Sequence, residues 1–302
     1  MNKNPILFSI ILPTYNRESF LSASINSVIG QNIKNWELIV VDDGSTDNTK
    51  NVVLKFSNKD KRVKYIFQKN NERSSARNNG IRNSKGNWIC FLDSDDIYHK
   101  RHLEKFSEEI KNTKFSKGLY FSGLSLNKFS LEIEKYDISG KNPVEFVMLN
   151  TIGTPRACVS KSILNNHSFN EKLKNGEDRE LWVRILNENP LFFHSKKTFI
   201  EIHHPQRSIN TISSKHESLK TLNFILKSNK NKIRNEVKRQ CLSNSYFSLA
   251  KGYIYEKRLT IALYYIFRSI FINFQNPQTN HKILLVLSIL GLYNKKVKSI
   301  YK

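Results

Sequence analysis

The sequence predicts an α/β fold built on a mostly parallel sheet flanked by helices. Two observations predict it. Short apolar runs alternate with helical patterns through the first third of the chain. Polar and acidic residues then collect after these runs, always at the same end.

The first run, Phe8 to Leu12 (FSIIL), reads as a buried strand. Leu21, Ile25, Val28 and Ile29 follow at helical spacing. Trp36 to Val41 (WELIVV) is a second strand, and Val52, Val53 and Phe56 mark one side of a second helix, with Ser45, Thr46 and Asp47 as candidate caps. Val63 to Phe67 is a third strand, Ala76 to Ile81 lies in a third helix, and Trp88 to Leu92 (WICFL) is a fourth strand. Alternation of this kind implies parallel strands joined by helical crossovers. Gly118 to Gly123 and Leu126 to Tyr136 are further strand candidates, and Leu181, Trp182 and Ile185 lie on a helix that follows a loop. Beyond Ser213 the pattern is helical throughout, with Leu242, Tyr246, Leu249, Ala250 and Tyr253 as one apolar stripe. The expected division is therefore residues 1–212 as the α/β domain and residues 213–302 as a basic, aromatic-rich helical region.

Composition narrows the function classes. With 302 residues and 39% hydrophobic content the chain can bury a large core. Cys90, Cys158 and Cys241 form no CxxC pair, so a disulfide framework or a zinc knuckle is not expected, and a reducing cytoplasm is. The N-terminal apolar run stops at Pro13 and reads as a strand rather than a leader peptide. Ile283 to Leu292 is too short to span a bilayer, which takes about 20 apolar residues. Net charge is +23, and from Pro205 to Lys302 there are 18 Lys or Arg against 3 Asp or Glu, which leaves +15. Such a tail attracts polyanions: an anionic membrane surface, nucleic acid or phosphorylated substrates. Lysine-rich composition without a partner explains the same charge.

Ligands on parallel sheets bind beyond the carboxyl ends of the strands. There the sequence places Pro13-Thr14-Tyr15-Asn16 after the first run, Asp42-Asp43-Gly44-Ser45 after the second, and Asp93-Ser94-Asp95-Asp96 after the fourth. Asp93 and Asp95, one residue apart on a turn, are suited to share a hard cation such as Mg²⁺ or Mn²⁺, which takes one or two carboxylates together with substrate phosphate oxygens. A solvated acidic turn has the same sequence; an EF-hand does not, because the required glycine and late glutamate are missing. A carboxylate at Asp42 or Asp43 can accept a hydrogen bond from a base N–H or a ribose hydroxyl. Glu177-Asp178 opens the helix bearing Leu181 and Trp182; it serves either as charge on a helix N-terminus or as a general base.

Taken together and in order, SIILPTYNR, ELIVVDDGSTDNT, SSARNNGI, WICFLDSDD and SFNEKLKNGEDRELWVRI resemble the inverting family 2 glycosyltransferases of GT-A fold, over roughly residues 8–208. The resemblance implies metal-dependent, inverting transfer of a hexosyl or N-acetylhexosaminyl group from a nucleotide-diphosphate sugar, a UDP-sugar by preference, to a hydroxyl of a glycan or lipid-linked acceptor. It implies that Pro13, Thr14, Tyr15 and Arg17 line the nucleotide site and that Asp43, with Asp42 beside it, reads the uracil ring. Arg77 would stand beside the donor phosphates, Ser94 at the donor, and Asp93 and Asp95 on Mn²⁺ or Mg²⁺. Asp178 would be the catalytic base, and Asp96, Glu177 and Trp182 acceptor or sugar contacts. A downstream histidine, His203 or His204, would complete the metal shell; the spacing that follows departs from the family pattern, and the choice between the two stays open. Enzymes of this kind extend lipid-linked glycans at the inner face of the cytoplasmic membrane, so a cytoplasmic, peripheral location is expected. The rival readings are a basic nucleic-acid-binding protein, for which no RNP, KH or zinc pattern exists, and a catalytically inactive relative acting as a scaffold, which the intact acidic residues disfavour. No specific nucleic acid partner is expected. P-loop chemistry is set aside because GxxxxGK[ST] is absent.

Overall fold

The computed structural model describes residues 7–126, 141–150, 152–202, 211–276 and 278–290. The chain forms two compact units, Met1–Leu173 with Glu177–Pro205, and Lys174–Gly176 with Gln206–Lys302.

The first unit holds an eight-stranded mixed sheet. Its parallel core comprises β1 (Phe8–Thr14), β2 (Trp36–Asp42), β3 (Val63–Phe67) and β4 (Trp88–Phe91), in the spatial order β3-β2-β1-β4. Residues of β1, β2 and β4 are buried on both faces, which is why these strands read as unbroken apolar runs. Crossovers run through α1 (Glu18–Ile29), α2 (Thr49–Ser57) and α3 (Glu72–Asn83). The sheet continues from β4 through β7 (Ala157–Ser160), β6 (Leu119–Leu126), β8 (Leu191–Glu201) and the two-residue β5 (Ile97–Tyr98). β7 runs antiparallel to both β4 and β6, while β8 is parallel to β6. The remaining helices of this unit are α4 (His102–Asn112), α5 (Pro143–Leu149), α6 (Lys161–Leu164) and α7 (Glu177–Leu186).

The two faces of the sheet are sealed differently. Phe8, Ile10, Leu12, Leu38 and Val40 pack with Leu21 and Ile25 of α1, Val53 of α2 and Phe106 of α4. On the opposite face α3 lies very close to β1: a Cβ at Gly80 would stand 2.4 Å from Ile11 Cγ2, so only glycine allows this approach. That contact carries Arg77, one turn before Gly80, to the carboxyl edge of the sheet.

Several details differ from the sequence reading. α2 begins at Thr49, after the candidate caps. Asp47 still serves the helix end, its Oδ1 accepting the Thr49 N–H at 3.0 Å, whereas Ser45 and Thr46 bond to Asn16 in the neighbouring loop. The strand expected over residues 118–123 runs on to Leu126, and most of the one expected over 126–136 lies outside the described residues.

The second unit is helical: α8 (Ile212–Ser228), α9 (Asn235–Tyr255), α10 (Leu259–Ile272) and α11 (Thr279–Ile289). Phe247, Leu249, Ala250 and Ile254 of α9 pack with Ala262, Ile266 and Ile270 of α10 and with Leu285 and Val286 of α11. A polar seam crosses this core. Ser243 meets Ser269, Asn276 and the buried ammonium of Lys282, whose Nζ donates to Ser243 Oγ at 2.9 Å. No helix among the described residues is long and apolar enough to cross a membrane.

Candidate active site

The end of β2 carries two carboxylates with separate duties. Asp42 Oδ1 accepts the Ser45 N–H at 2.9 Å and Oδ2 accepts the Tyr65 hydroxyl at 2.7 Å, so both oxygens hold the turn together. Burial and the Asp42 charge push the Tyr65 phenol up, keeping it a donor. Asp43 Oδ1 accepts from Gln68 Nε2 at 2.8 Å and from the Asn71 N–H at 2.9 Å. Its second oxygen has no bonded partner among the described residues, so Asp43 is the better placed of the two to receive a ligand N–H. Gly44 turns with a φ of +84°, and a Cβ there would come within 2.8 Å of Asn70 N.

The loop after β1 is tied to this turn. Asn16, at a φ of +50°, accepts from the Thr46 N–H at 2.8 Å through Oδ1 and donates its own N–H to Ser45 Oγ at 2.9 Å. The Arg17 N–H donates to Thr49 Oγ1 at 3.2 Å. Thr14 is buried, with its hydroxyl unpartnered among the described residues, while the Tyr15 ring is 48% exposed beside it. Pro13 lies within β1, paired in register with Val41.

The acidic turn after β4 is closed by the Asp96 N–H bonded to Asp93 O at 3.1 Å. Ser24 of α1 fastens it from behind, its hydroxyl standing 2.9 Å from Ser94 O and 2.8 Å from Asp96 O. Asp93 and Asp95 are partly exposed; Ser94 and Asp96 are buried. Asp96 Oδ1 accepts the Ile202 N–H at 2.9 Å, which ties the turn to the end of β8. Asp96 is thus buried where the turn meets the end of β8.

Arg77 joins this turn to the start of α7. Nη2 donates to Asp93 Oδ1 and Nη1 to Glu177 Oε1, both at 2.9 Å, and Arg73 Nε stands 3.1 Å from the same glutamate oxygen. Burial opposes the guanidinium charge, but Asp93, Glu177 and Asp178 outweigh it and keep Arg77 ionised. Each terminal nitrogen donates to a protein carboxylate, so Arg77 is a buried strut between the acidic turn and the start of α7. The loop before α7 is pinned to α3 by Asn78, which gives Nδ2–H to Phe169 O at 3.0 Å and takes the Phe169 N–H at 2.9 Å.

Asp178 occupies the first turn of α7, where its Oδ1 accepts the Arg179 N–H at 2.7 Å. Desolvation, with the Glu177 charge adding to it, raises the Asp178 carboxyl from its ordinary 3.8 to about 6. A partly exposed carboxylate of that basicity at the edge of the acidic turn can take a proton. Trp182, one turn further on, does not share this rim. Its ring is 1% exposed among Phe91, Phe121 and Phe169, and its Nε1 donates to Ile152 O at 3.0 Å. It is a core residue, which corrects the expectation of an acceptor contact. His203 and His204 lie outside the described residues.

Sequence reasoning placed Asn16 at the ligand edge without giving it a role, and did not single out Ser24, Gln68, Asn71 or Asn78. Each fixes a loop or an acidic side chain from another element, and only the short polar stretch flanking Gln68 hinted at it.

Among the described residues, no cluster of three or more His, Cys, Asp or Glu converges on one point that could hold a metal. The donor set nevertheless fits a hard cation. Asp93 and Asp95 supply carboxylate oxygens on one turn, and Mg²⁺ or Mn²⁺ needs only one or two of these when diphosphate oxygens complete its shell.

The sheet, with its acidic carboxyl edge, is a GT-A fold, and comparison with known proteins gives the family. The sequence model of Glycosyl transferase family 2 matches residues 9–129. The GalNAc(5)-diNAcBac-PP-undecaprenol beta-1,3-glucosyltransferase of Campylobacter jejuni is 31% identical over 93% of this chain and 93% of its own length. The Escherichia coli UDP-Glc:alpha-D-GlcNAc-diphosphoundecaprenol beta-1,3-glucosyltransferase WfgD is 38% identical over 61% of this chain and 71% of its own. The chain belongs to glycosyltransferase family 2. It spans only 31%, 28% and 31% of three Rickettsia glycosyltransferases that also match. In fold it is similar to S. aureus TarS 1–349 in complex with UDP-GlcNAc, with a TM-score of 0.65 at 19% identity over 97% of this chain and 85% of that one. It is likewise similar to the Pyrobaculum calidifontis mannosyltransferase PcManGT, with a TM-score of 0.60 at 14% identity over 97% and 82% of the two chains.

Proposed function

We infer that the protein transfers a hexosyl group, with inversion, from a UDP-sugar to a hydroxyl of a lipid-linked glycan. One observation carries the reading. Arg77 binds Asp93 and Glu177 together, so the metal-type acidic turn and the start of α7, with Asp178 on it, form one site. Two relatives are named as glucosyltransferases acting on undecaprenol-linked acceptors, which makes UDP-glucose the first donor to test.

In this reading Asp43 accepts the uracil N–H and Tyr15 covers the base. Asp93 and Asp95 would hold Mn²⁺ or Mg²⁺ against the donor diphosphate, where such a cation neutralises charge on the leaving group. Arg77 keeps the Asp93 carboxylate oriented. Asp178 takes the proton of the acceptor hydroxyl as that oxygen bonds to the anomeric carbon. The bond from this carbon to the diphosphate oxygen breaks on the opposite face, and the nucleotide diphosphate departs with the electron pair. A single displacement needs one base and no enzyme nucleophile. Glu177 is held by two arginines and is thereby kept from competing as the base.

The test is UDP release from UDP-glucose and UDP-N-acetylglucosamine, with and without a polyprenyl-diphosphate-linked acceptor. Acceptor-stimulated release, a β-linked product by NMR, and loss of turnover in Asp178→Asn are expected. Chelation should abolish turnover, added Mn²⁺ or Mg²⁺ should restore it, and Asp95→Asn should lose most of it. Full turnover in chelator would remove the metal role, and an α-linked product would remove inversion.

A further inference from the structure

α10 presents two opposite faces. Ala262, Ile266, Ser269 and Ile270 are buried against the helical core. The other face carries Tyr264, Phe267 and Phe271, at positions i, i+3 and i+7, and Phe274 follows just past the helix end. Their exposures are 53%, 43%, 83% and 69%. Two phenylalanines exposed on one side of the helix and a third just beyond its end make a concentrated apolar patch, and patches of this kind mark interaction surfaces.

The surroundings of the patch identify its partner. Arg268 is exposed among the rings, its guanidinium 5.7 Å from the Tyr264 ring centre, and Lys257, seven residues before Tyr264, is exposed where α10 begins. Residues 205–302 carry a net charge of +15. A second copy of so cationic a unit would be repelled, and only an anionic surface complements the charge. The phenylalanines have no hydrogen-bonding atom and match hydrocarbon, while long cationic side chains beside them reach headgroup phosphates.

We propose that the α10 face, Tyr264, Phe267, Phe271 and Phe274 with Lys257 and Arg268, inserts into the interfacial layer of an anionic lipid bilayer. Attachment through these exposed rings and cationic side chains is interfacial and salt-sensitive. It requires neither donor nor acceptor, and its failure would leave the transfer reading untouched.

The experiment is co-sedimentation of the full chain with vesicles of phosphatidylglycerol mixed with phosphatidylcholine, against phosphatidylcholine alone, at low and high salt. Binding to the anionic vesicles alone is expected, weakened at least tenfold by high salt. The triple variant Phe267→Ser, Phe271→Ser, Phe274→Ser should lose at least tenfold in affinity while its circular dichroism is unchanged, because these side chains face solvent. Phe271→Trp gives a second readout. The native Trp36, Trp88 and Trp182 are buried, so quenching by brominated anionic lipids reports position 271. Wild-type binding by the triple variant, absence of quenching, or equal binding to neutral vesicles would overturn the proposal. So would self-association without lipid that shields position 271, which would assign the face to a second copy. Single-stranded DNA binding that depends on the same phenylalanines would assign it to nucleic acid.

Discussion

Arg77 and Asp93, sixteen residues apart in the chain, form an ion pair in which Nη2 lies 2.9 Å from Oδ1, and the arginine is buried while the aspartate reaches solvent. The same guanidinium holds Glu177, one hundred residues away. Arg77→Ala leaves two carboxylates facing each other across a buried gap. A loss of about 3 kcal/mol is expected, the usual scale for removing one partner of a buried pair. Arg77→Lys keeps the charge but cannot bridge two acids with a planar fork, and should fall between the two. Urea unfolding would measure both; a wild-type midpoint in Arg77→Ala would show that the strut carries no stability.

The raised pKa of Asp178 has a signed consequence for stability. Between its ordinary value of 3.8 and its folded value of about 6, the native chain holds this proton more tightly than the unfolded chain. Folding stability therefore falls as pH rises through that window, and the cost is complete above about pH 6. Asp178→Asn should be more stable than wild type at pH 7.5, by about 1 kcal/mol after allowance for solvent screening, and level with it near pH 4. Thermal melts of the two proteins across that range decide the matter. The transfer rate of the wild type should rise through about pH 6 as the base is freed.

Asp43 and Gln68 separate recognition from positioning. Asp43→Ala removes the acceptor and should weaken UDP binding by about tenfold to a hundredfold, the worth of one charge-assisted hydrogen bond. Gln68→Ala leaves the carboxylate in place without one of its two tethers, so a loss of only a few-fold is expected, roughly 1 kcal/mol or less. Calorimetric titration with UDP reads both, and equal losses would mean that Gln68 itself touches the ligand.

Lys282 offers the opposite sign. Burial lowers it from its ordinary 10.5 to about 8, and its ammonium sits in the helical core beside Ser243. Across that window the unfolded chain binds more protons, so stability should rise with pH. At pH 7 the full cost of the buried charge is present. Lys282→Met should stabilise the protein at pH 7 by about 1–2 kcal/mol, and the gain should shrink toward pH 10.5. Ser243 keeps Ser269 and Asn276 as partners in the variant. A destabilised Lys282→Met at pH 7 would show that the Lys282 hydrogen bond outweighs its burial.

Three of the four parallel strands, β1, β2 and β4, were legible because strands buried on both faces become unbroken apolar runs, as in SIIL, LIVV and WICF. β7 and β8 were not. ACVS is four residues long, and LFFHSKKTFIE carries His194, Lys196 and Lys197 in mid-strand. Their pairing comes from antiparallel and late-returning neighbours, which local pattern does not encode. The acidic residues of the candidate site stood out because carboxylates after apolar strands are conspicuous. Ser24 and Gln68 did not, because each is an ordinary polar residue whose partner lies on another loop. Trp182 misled for the same reason in reverse: adjacency to Glu177-Asp178 in sequence put it near the site, but four residues on, on the same side of α7 and one turn further along it, the ring is packed in the core.

Cys90 and Cys158 are 68 residues apart, yet they stand opposite each other in the β4–β7 pairing, and with Cys241 they are buried free thiols. Burial also holds the Cys158 thiol far above its usual acidity range, so none of the three meets an alkylating dye until its strand or helix opens. Two of these thiols belong to the sheet unit and one to the helical unit. A slow thiol-reactive fluorophore followed by peptide mass mapping thereby becomes a clock with two hands, timing the opening of each unit separately in unmodified protein. The native background is silent toward labelling, so a cysteine introduced on the exposed side of α10 could carry a spectroscopic probe without removing any of the three.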